Sequence, residues 1–531
     1  MDQIFNPSLL SVNATDSIAS EDEWQSALDH AAGVREKEEA EPETSGSDDA
    51  ALFAANRIGQ VVMPSSITDR VGKILGEVHG PAIRQTAMRF YLATTTKASQ
   101  PGSVVSDFGG GSTMKRSFIP MPSGKDFTSL EADAFLAGFM PQIYATSYTV
   151  LKELRKRLGE AWYPGRVLDA GVGPGIGALA FHQVYTAENP LVTDESVPRD
   201  TRLHVVVANQ GMRDRADTIW KGQTDAKVEL FWKMPGTRQK QYDLVLAPHT
   251  LLDAKGPNSQ RDAIVKELWA RVAHGGVLLL LERGTPLGFE AVARAREILL
   301  RKSNKIAAST AEAADDLRAA GIEADESSLN NTTDEACHVI APCPHDGVCP
   351  LWMFGHQPKR QQWCHFSQRL QRPEYLQRTK HAKTNTEDCT YSYVMLRKGL
   401  TRPEQPIVKS RSLNDDLVSP VEEELRHESI VSSSYHWPRI ILPPLKKHKH
   451  ILLDVCSSGL SSEDAMSAES KLERMTIPKS QGTEQYRFAR RSHWGDLLPF
   501  RGKTVVERPV VDRQGKRKKY SRRQHLVQDV E

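Results

Sequence analysis

The stretch Arg166-Val167-Leu168-Asp169-Ala170-Gly171-Val172-Gly173-Pro174-Gly175-Ile176-Gly177 sets the fold class. A short apolar strand ends on an acid, a glycine-rich turn follows, and a helix opens at Ala178. Glycine lets the backbone turn sharply and approach a ligand closely at a helix N-terminus. The same alternation continues downstream. Val205-Val206-Val207, Tyr242 to Leu246 and Val277 to Leu281 read as strands, with helices at Asp262–Ala273 and Phe289–Arg301 between and after them. Strand and helix in alternation predict a parallel sheet with helices on both faces, an α/β class.

An acid at a strand end followed by closely spaced glycines resembles the first motif of S-adenosylmethionine-dependent methyltransferases, and implies a Rossmann-like methyltransferase fold. Asp169, Gly171, Gly173 and Gly175 are then the candidate cofactor residues. The end of the second strand normally carries a carboxylate for the ribose. Here Val207-Ala208-Asn209-Gln210 offers only Asn209. Ala247-Pro248-His249-Thr250, after the Tyr242–Leu246 strand, is not the Asn/Asp-Pro-Pro-Tyr/Phe sequence that positions an amino group for methylation. Two readings stay open: a scaffold with weak or no catalysis, and an active S-adenosylmethionine-dependent methyltransferase.

Away from this core the chain is uneven. Net charge is +2 over 531 residues, but Ser20 to Asp49 is acidic, and Lys516 to Lys519 with Arg522 and Arg523 is basic. No apolar run reaches the roughly 20 residues of a membrane span, so no membrane association is expected. Met1 to Phe5 leads into acidic sequence, unlike a secretory signal or a basic organellar presequence. The pattern divides as follows: 1–50 a disordered acidic tail; 51–160 a helical N-terminal region with a Gly/Ser/Pro linker; 161–301 the methyltransferase-like domain; 302–336 an insertion; 337–500 a lobe holding all six cysteines, a loop insertion from Thr401 to Glu428 and strand-like stretches that include Ile451–Leu453 and Tyr486–Phe488; 501–531 a basic tail. Ser129 to Leu158 reads as one or two helices broken near Pro141, with Leu151, Leu154 and Leu158 sharing a face and Lys152, Glu153, Arg155 and Lys156 outside it.

Cysteine is scarce, six in the whole chain, yet Cys343, Cys349 and Cys364 fall close together among prolines and glycines. Thiolates gathered in this way hold zinc or an iron–sulfur cluster. Their spacings fit no zinc-finger pattern, and a cubane needs a fourth thiolate from Cys337, Cys389 or Cys456. Cys456, at the end of the apolar strand Ile451-Leu452-Leu453, is best placed; Cys337 and Cys389 suit surface thiols. His345 and His365 adjoin the cluster, so a Cys/His zinc site also stands. Three basic runs, Lys446 to His450, Arg487 with Arg490 and Arg491 beside Tyr486 and Phe488, and Lys516 to Arg523, suit phosphate contacts and base stacking.

Taken in order, several pieces resemble the mitochondrial small-ribosomal-subunit methyltransferase-like family. They are Val167 to Gly175, Glu282 to Phe289, Ala341 to His345, Cys349-Pro350-Leu351, Cys364 to Gln368, Ser392-Tyr393-Val394, Asp454-Val455-Cys456 and Trp494 to Leu497. The resemblance implies a mitochondrial matrix protein that binds the small-subunit rRNA and assists assembly and translation by the ribosomal small subunit. It also implies a C-terminal metal-cluster lobe with a [4Fe–4S] cluster, its ligands Cys343, Cys349, Cys364 and Cys456.

Overall fold

The computed structural model describes residues 49–95, 127–159, 161–187, 201–221, 227–236, 241–253, 258–319, 336–352, 363–404, 420–458 and 470–508. The Gly102–Lys125 linker, the Lys516–Arg523 run and nearly all of the acidic tail lie outside these residues. In chain order the strands are β1 (Gln60–Val61), β2 (Arg166–Asp169), β3 (Arg202–Val206), β4 (Lys227–Phe231), β5 (Tyr242–Pro248), β6 (Val272–Arg283), β7 (Cys337–Ala341), β8 (Phe366–Gln371) and β9 (Thr386–Lys398). A second set comprises β10 (Arg439–Ile440), β11 (Leu445–Lys446), β12 (His450–Ser458), β13 (Ser470–Pro478) and β14 (Thr504–Glu507).

The first sheet runs β1-β8-β9-β6-β5-β2-β3-β4. From β4 to β6 neighbours are parallel, and β9 then lies antiparallel to β6. This is the expected Rossmann-like, methyltransferase-type α/β sheet, with strand order reversing beside β2. Leu278, Leu280 and Leu281 of β6 are wholly buried, as expected of an inner strand covered on both faces.

The edge beyond β9 is one strand in two pieces. β8 pairs with the first half of β9, Phe366 opposite Tyr391. β7 pairs with its second half, Ala341 opposite Met395. Because β6 occupies the other side of β9, both pieces lie along the same edge. The chain leaves this edge at the cis Ala341–Pro342 bond and returns at Phe366. The excursion between carries Cys343, Cys349 and Cys364.

The second sheet is antiparallel, in the order β10-β12-β13-β14 with β11 beside β12. It is tied to the first by the helix Met140–Leu158, which follows the helix Ser129–Gly138 with Pro141 in its first turn, as expected. A Thr128/Glu131 capping box starts the earlier helix. Lys152 and Lys156 stay half-buried, but Glu153 and Arg155 are not on an outer face: both are buried, because protein packs on that side of the helix too. Arg439 of β10 donates to Glu153, as does the Tyr393 hydroxyl of β9. Burial alone would raise the Glu153 pKa, but Arg439 and Arg157 outweigh it and hold the carboxyl down at about 2.

Three local expectations are corrected. The helix Pro286–Ala319 runs across the expected boundary at residue 302, since its Ala-rich continuation has good helix propensity. Pro420–Ser434 is helical where a loop was expected, opening on a proline at the helix start. Tyr486-Arg487-Phe488 lies in the helix Thr483–Arg491 rather than a strand, so Phe488 packs inward on Phe500, with ring centroids 5.6 Å apart. Among the described residues no helix is long and apolar enough to cross a membrane.

Removing Glu153 strands buried guanidinium charge. Glu153→Leu is expected to lower stability by about 3–5 kcal/mol at neutral pH, the usual result of deleting one partner of a buried pair. Because the native pKa is depressed, the carboxylate's contribution is present above the unfolded value and is lost as pH falls towards 2. Urea unfolding at pH 7 and at pH 3 should show a smaller gap between wild type and variant at the lower pH.

Candidate metal centre

The glycine turn forms as expected. Asp169 accepts from the backbone N–H of Gly171 at 2.8 Å and of Ala178 at 2.7 Å, closing the turn onto the helix Ile176–His182. Burial lifts the Asp169 pKa to about 6 against these bonds. Gly173 and Gly175 have φ of +100° and +88°, which only glycine adopts readily. Protein, however, covers the turn. A Cβ on Gly173 would lie 2.8 Å from the Phe135 ring, and one on Gly175 would lie 2.8 Å from Val205 and 3.2 Å from Trp220. Val172 to Ile176 are all buried.

Asn209 is placed differently from its expected role as a ribose ligand. Its Oδ1 accepts from Met212 N at 3.0 Å, capping the helix Gln210–Trp220, and its Nδ2 donates to Phe127 O at 2.7 Å. An amide spent on a helix cap and a neighbouring carbonyl is not offered to a sugar. Among the described residues, the turn packs against Phe135, Val205 and Trp220, and Asn209 holds a helix end.

The cysteines behave otherwise. Cys343, Cys349, Cys364 and Cys456 line one cavity of about 40 Å³ at the junction of the two sheets. Cys343 stands just past β7 and Cys364 just before β8, at the two mouths of the excursion. The Ser392 hydroxyl of β9, level with the gap, donates to Cys364 O at 2.8 Å. Cys456 comes from β12, opposite Arg439 and Leu472. Apolar side chains, among them Phe289, Val292, Leu351 and Ile441, close the walls.

Burial and the neighbouring thiols push Cys349 up to about 12 and raise Cys364 and Cys456 as well. Thiols raised in this way do not ionise together unless positive charge is placed among them, and a bound metal core deprotonates its thiols outright. Arg296, in the helix Pro286–Ala319, brings a buried guanidinium to the same cavity. Its Nη2 donates to His345 O and Gly347 O, each at 2.8 Å, while Nε and Nη1 have no hydrogen-bond partner among the described residues. His345 sets its Nε2 3.3 Å from Cys456 Sγ and is held neutral by burial and by Arg296 and Arg402.

Among the described residues no three His, Cys, Asp or Glu side chains converge closely enough to hold a single metal ion. The sulfurs surround a space rather than meeting at a point. The donor set, four soft thiols with the buried Arg296 guanidinium beside them and its Nη1 3.8 Å from Glu297 Oε2, suits a thiolate-bound metal group, zinc or iron–sulfur.

His365 does not line the cavity; its ring meets Trp494 edge-on at 4.6 Å. Cys337 is half-buried at the start of β7, outside the cavity. Cys389 is buried within β9 rather than on the surface, since its side of the strand packs on the core. Arg296 and Arg439 were not picked out from sequence. A lone arginine in an amphipathic helix or after Trp437-Pro438 carries no signal of burial.

The architecture defines a methyltransferase-type scaffold joined through a cysteine-lined cavity to an antiparallel lobe. The chain belongs to the Rsm22 family, described as mitochondrial small ribosomal subunit Rsm22, whose model matches residues 129–315 and 322–499. Its relatives include the Rsm22-cox11 tandem protein 2, mitochondrial, of Schizosaccharomyces pombe, 31% identical over 396 residues, with 73% of this chain and 45% of the relative covered. The ribosome assembly protein RSM22, mitochondrial, of Saccharomyces cerevisiae is 26% identical over 72% of this chain and 69% of its own length. The human ribosome assembly protein METTL17, mitochondrial, is 23% identical over 69% and 62%. This chain spans less than half the length of the fission-yeast relative. The relatives are mitochondrial by name, in agreement with the expected compartment.

Asn209→Ala is expected to cost about 1–2 kcal/mol through loss of the helix cap. Thermal unfolding measures the loss. Calorimetry with millimolar S-adenosylmethionine should give no saturable heat for wild type or variant.

Proposed function

We propose that the protein is a mitochondrial small-subunit assembly and translation factor that binds rRNA, uses its methyltransferase-type sheet as a docking scaffold and carries a [4Fe–4S] cluster on Cys343, Cys349, Cys364 and Cys456. The single observation that carries the cluster is the meeting of three clustered thiols with Cys456, far along the chain, around one cavity that also receives Arg296. When bound, the cluster supplies positive metal charge that keeps the four thiols ionised and cross-links the excursion to β12. Arg296 and Arg439 would offset the net negative charge of a thiolate-bound cubane. The assembly role is supported by family membership and by the names of the relatives. The covered glycine turn and the capping role of Asn209 favour a scaffold over a working methyltransferase.

The rRNA reading is supported by one end of the second sheet. Lys447, His448 and Lys449 form an exposed tip between β11 and β12. Lys479 N donates to Lys449 O at 3.0 Å, and Lys503 N donates to Gln481 Oε1 at 2.8 Å, which brings Lys479 and Lys503 to the same end. Arg487 and Arg490 are exposed on the helix Thr483–Arg491. Tyr486 and Phe488 lean on the core, so this surface offers charge rather than the expected stacking. Clustered cations of this kind displace the counterions of a phosphate backbone.

Anaerobically purified protein should be brown, with iron and acid-labile sulfide, and Cys349→Ser or Cys456→Ser should remove most of both. Full iron and sulfide in either variant would refute the ligand assignment. Lys449→Glu with Lys503→Glu should weaken rRNA binding and lower the salt slope by about one unit for each phosphate that is no longer neutralised. An unchanged slope in filter binding would move the RNA surface elsewhere.

A further inference from the structure

A second cavity, of about 580 Å³, opens on the other side of the wall that closes the thiol site. Phe366, Tyr393 and Arg439 line both. Its remaining walls are the segment Phe53–Ile58, the helix Met140–Leu158, Ser367 and Gln368 of β8, and Trp494-Gly495. It is separate from the glycine turn and larger than the thiol cavity, and its size is that of an ordinary small-molecule pocket.

Its charge is one-sided. Arg57, Lys152, Arg155, Lys156 and Arg439 line it against a single carboxylate, Glu153. Glu153 is already spent on Arg439 and Tyr393. Arg155 is spoken for too, donating to Val184 O at 2.9 Å. Lys156 donates to two neutral oxygens, Ala55 O at 2.8 Å and Asn56 Oδ1 at 3.2 Å. Burial pushes its pKa down to about 8, so an anion beside it would relieve a real cost. Arg57 is exposed at the rim and anchored through Arg491 O at 2.6 Å.

The aromatic side is equally one-sided. Phe53, Tyr391 and Trp494 face the same space as these cations. A planar ligand with an anionic group at one end answers both features. Stacking on an aromatic face with charge contacts to phosphate is how proteins hold single nucleotides and unpaired bases.

We propose that this groove binds a nucleotide, its phosphate among Lys152, Lys156 and Arg57 and its base against Trp494. The ligand is a free mononucleotide or an unpaired nucleotide of an RNA strand, which share this chemistry. The proposal does not depend on the cluster or on the basic end of the second sheet.

The test is calorimetric titration of the full chain, purified without oxygen, with AMP, UMP, adenosine, inorganic phosphate and a 5′-phosphorylated tetranucleotide. Saturable binding of AMP or UMP, tighter than adenosine or phosphate, is expected. Lys152→Glu and the milder Lys152→Gln should each weaken it by roughly tenfold or more, the scale of one charge-assisted hydrogen bond. Trp494→Leu should weaken it too, while Lys449→Glu, which does not line the groove, should leave it unchanged. Binding of the tetranucleotide alone, with the same sensitivity at Lys152 and Trp494, supports the site and assigns it to RNA. No saturable binding by any nucleotide, phosphate binding as tightly as AMP, or indifference to both Lys152 variants in folded protein would overturn it. Loss of rRNA binding in Lys449→Glu with nucleotide binding intact separates the groove from the rRNA surface.

Discussion

Arg439 is the side chain on which the relation between the two sheets depends. Nearly all of it is buried, and it reaches in three directions: to Glu153 on the long helix, to Gly495 O in the C-terminal segment, and to Pro342 O where the chain leaves β7. Taking a guanidinium out of water costs several kcal/mol, and only a full set of partners offsets it. Each partner comes from a different part of the chain. The helix, the excursion and β10 are therefore held in one arrangement or the charge is left stranded. The ion pair fixes position more than it adds net stability, and the site is built on that position.

The thiol cavity follows from this. Two of its cysteines stand at the mouths of a break in an edge strand, where the backbone is no longer committed to ladder hydrogen bonds. The third lies in the excursion, and the fourth stands on β12, whose register against β10 sets Cys456 opposite Arg439. Burial raises Cys349, Cys364 and Cys456, while Arg296 and Arg439 supply the charge that a thiolate cluster would need nearby. The same wall then serves the larger groove on its far side. A single shell of Phe366, Tyr393 and Arg439 thus separates a dry, sulfur-lined space from a wetter, cationic one.

Much of this was legible in the residues. The glycine turn, its strand and its helix follow from local sterics, because only glycine accepts the φ values of positions 173 and 175. The parallel order of β2 to β6 follows from the alternation of apolar strands with amphipathic helices. Cys343, Cys349, Cys364 and Cys456 were singled out from their clustering, their punctuation and the family resemblance. Glu153 and Arg155 were misplaced because helical periodicity shows which face is apolar but not whether the opposite face is also covered. Phe488 was misplaced because a nine-residue amphipathic helix and a short alternating strand look alike over so few residues. Asn209 fits a cap and a ligand equally well until its neighbours in space are known.

The amino-acid sequence by itself determined the elements and the chemistry available: where glycine permits a turn, where apolar periods make strand or helix, and which thiols are free to act. Only the tertiary structure decided what each group faces. It set Phe135 and Trp220 over the glycine turn, spent Asn209 on a helix end, buried Arg296 and Arg439 beside the sulfurs, and gathered five cations around Trp494. The reason is that dihedral preference and hydrophobic period act over a few residues, whereas desolvation and charge pairing depend on atoms brought together from hundreds of residues apart.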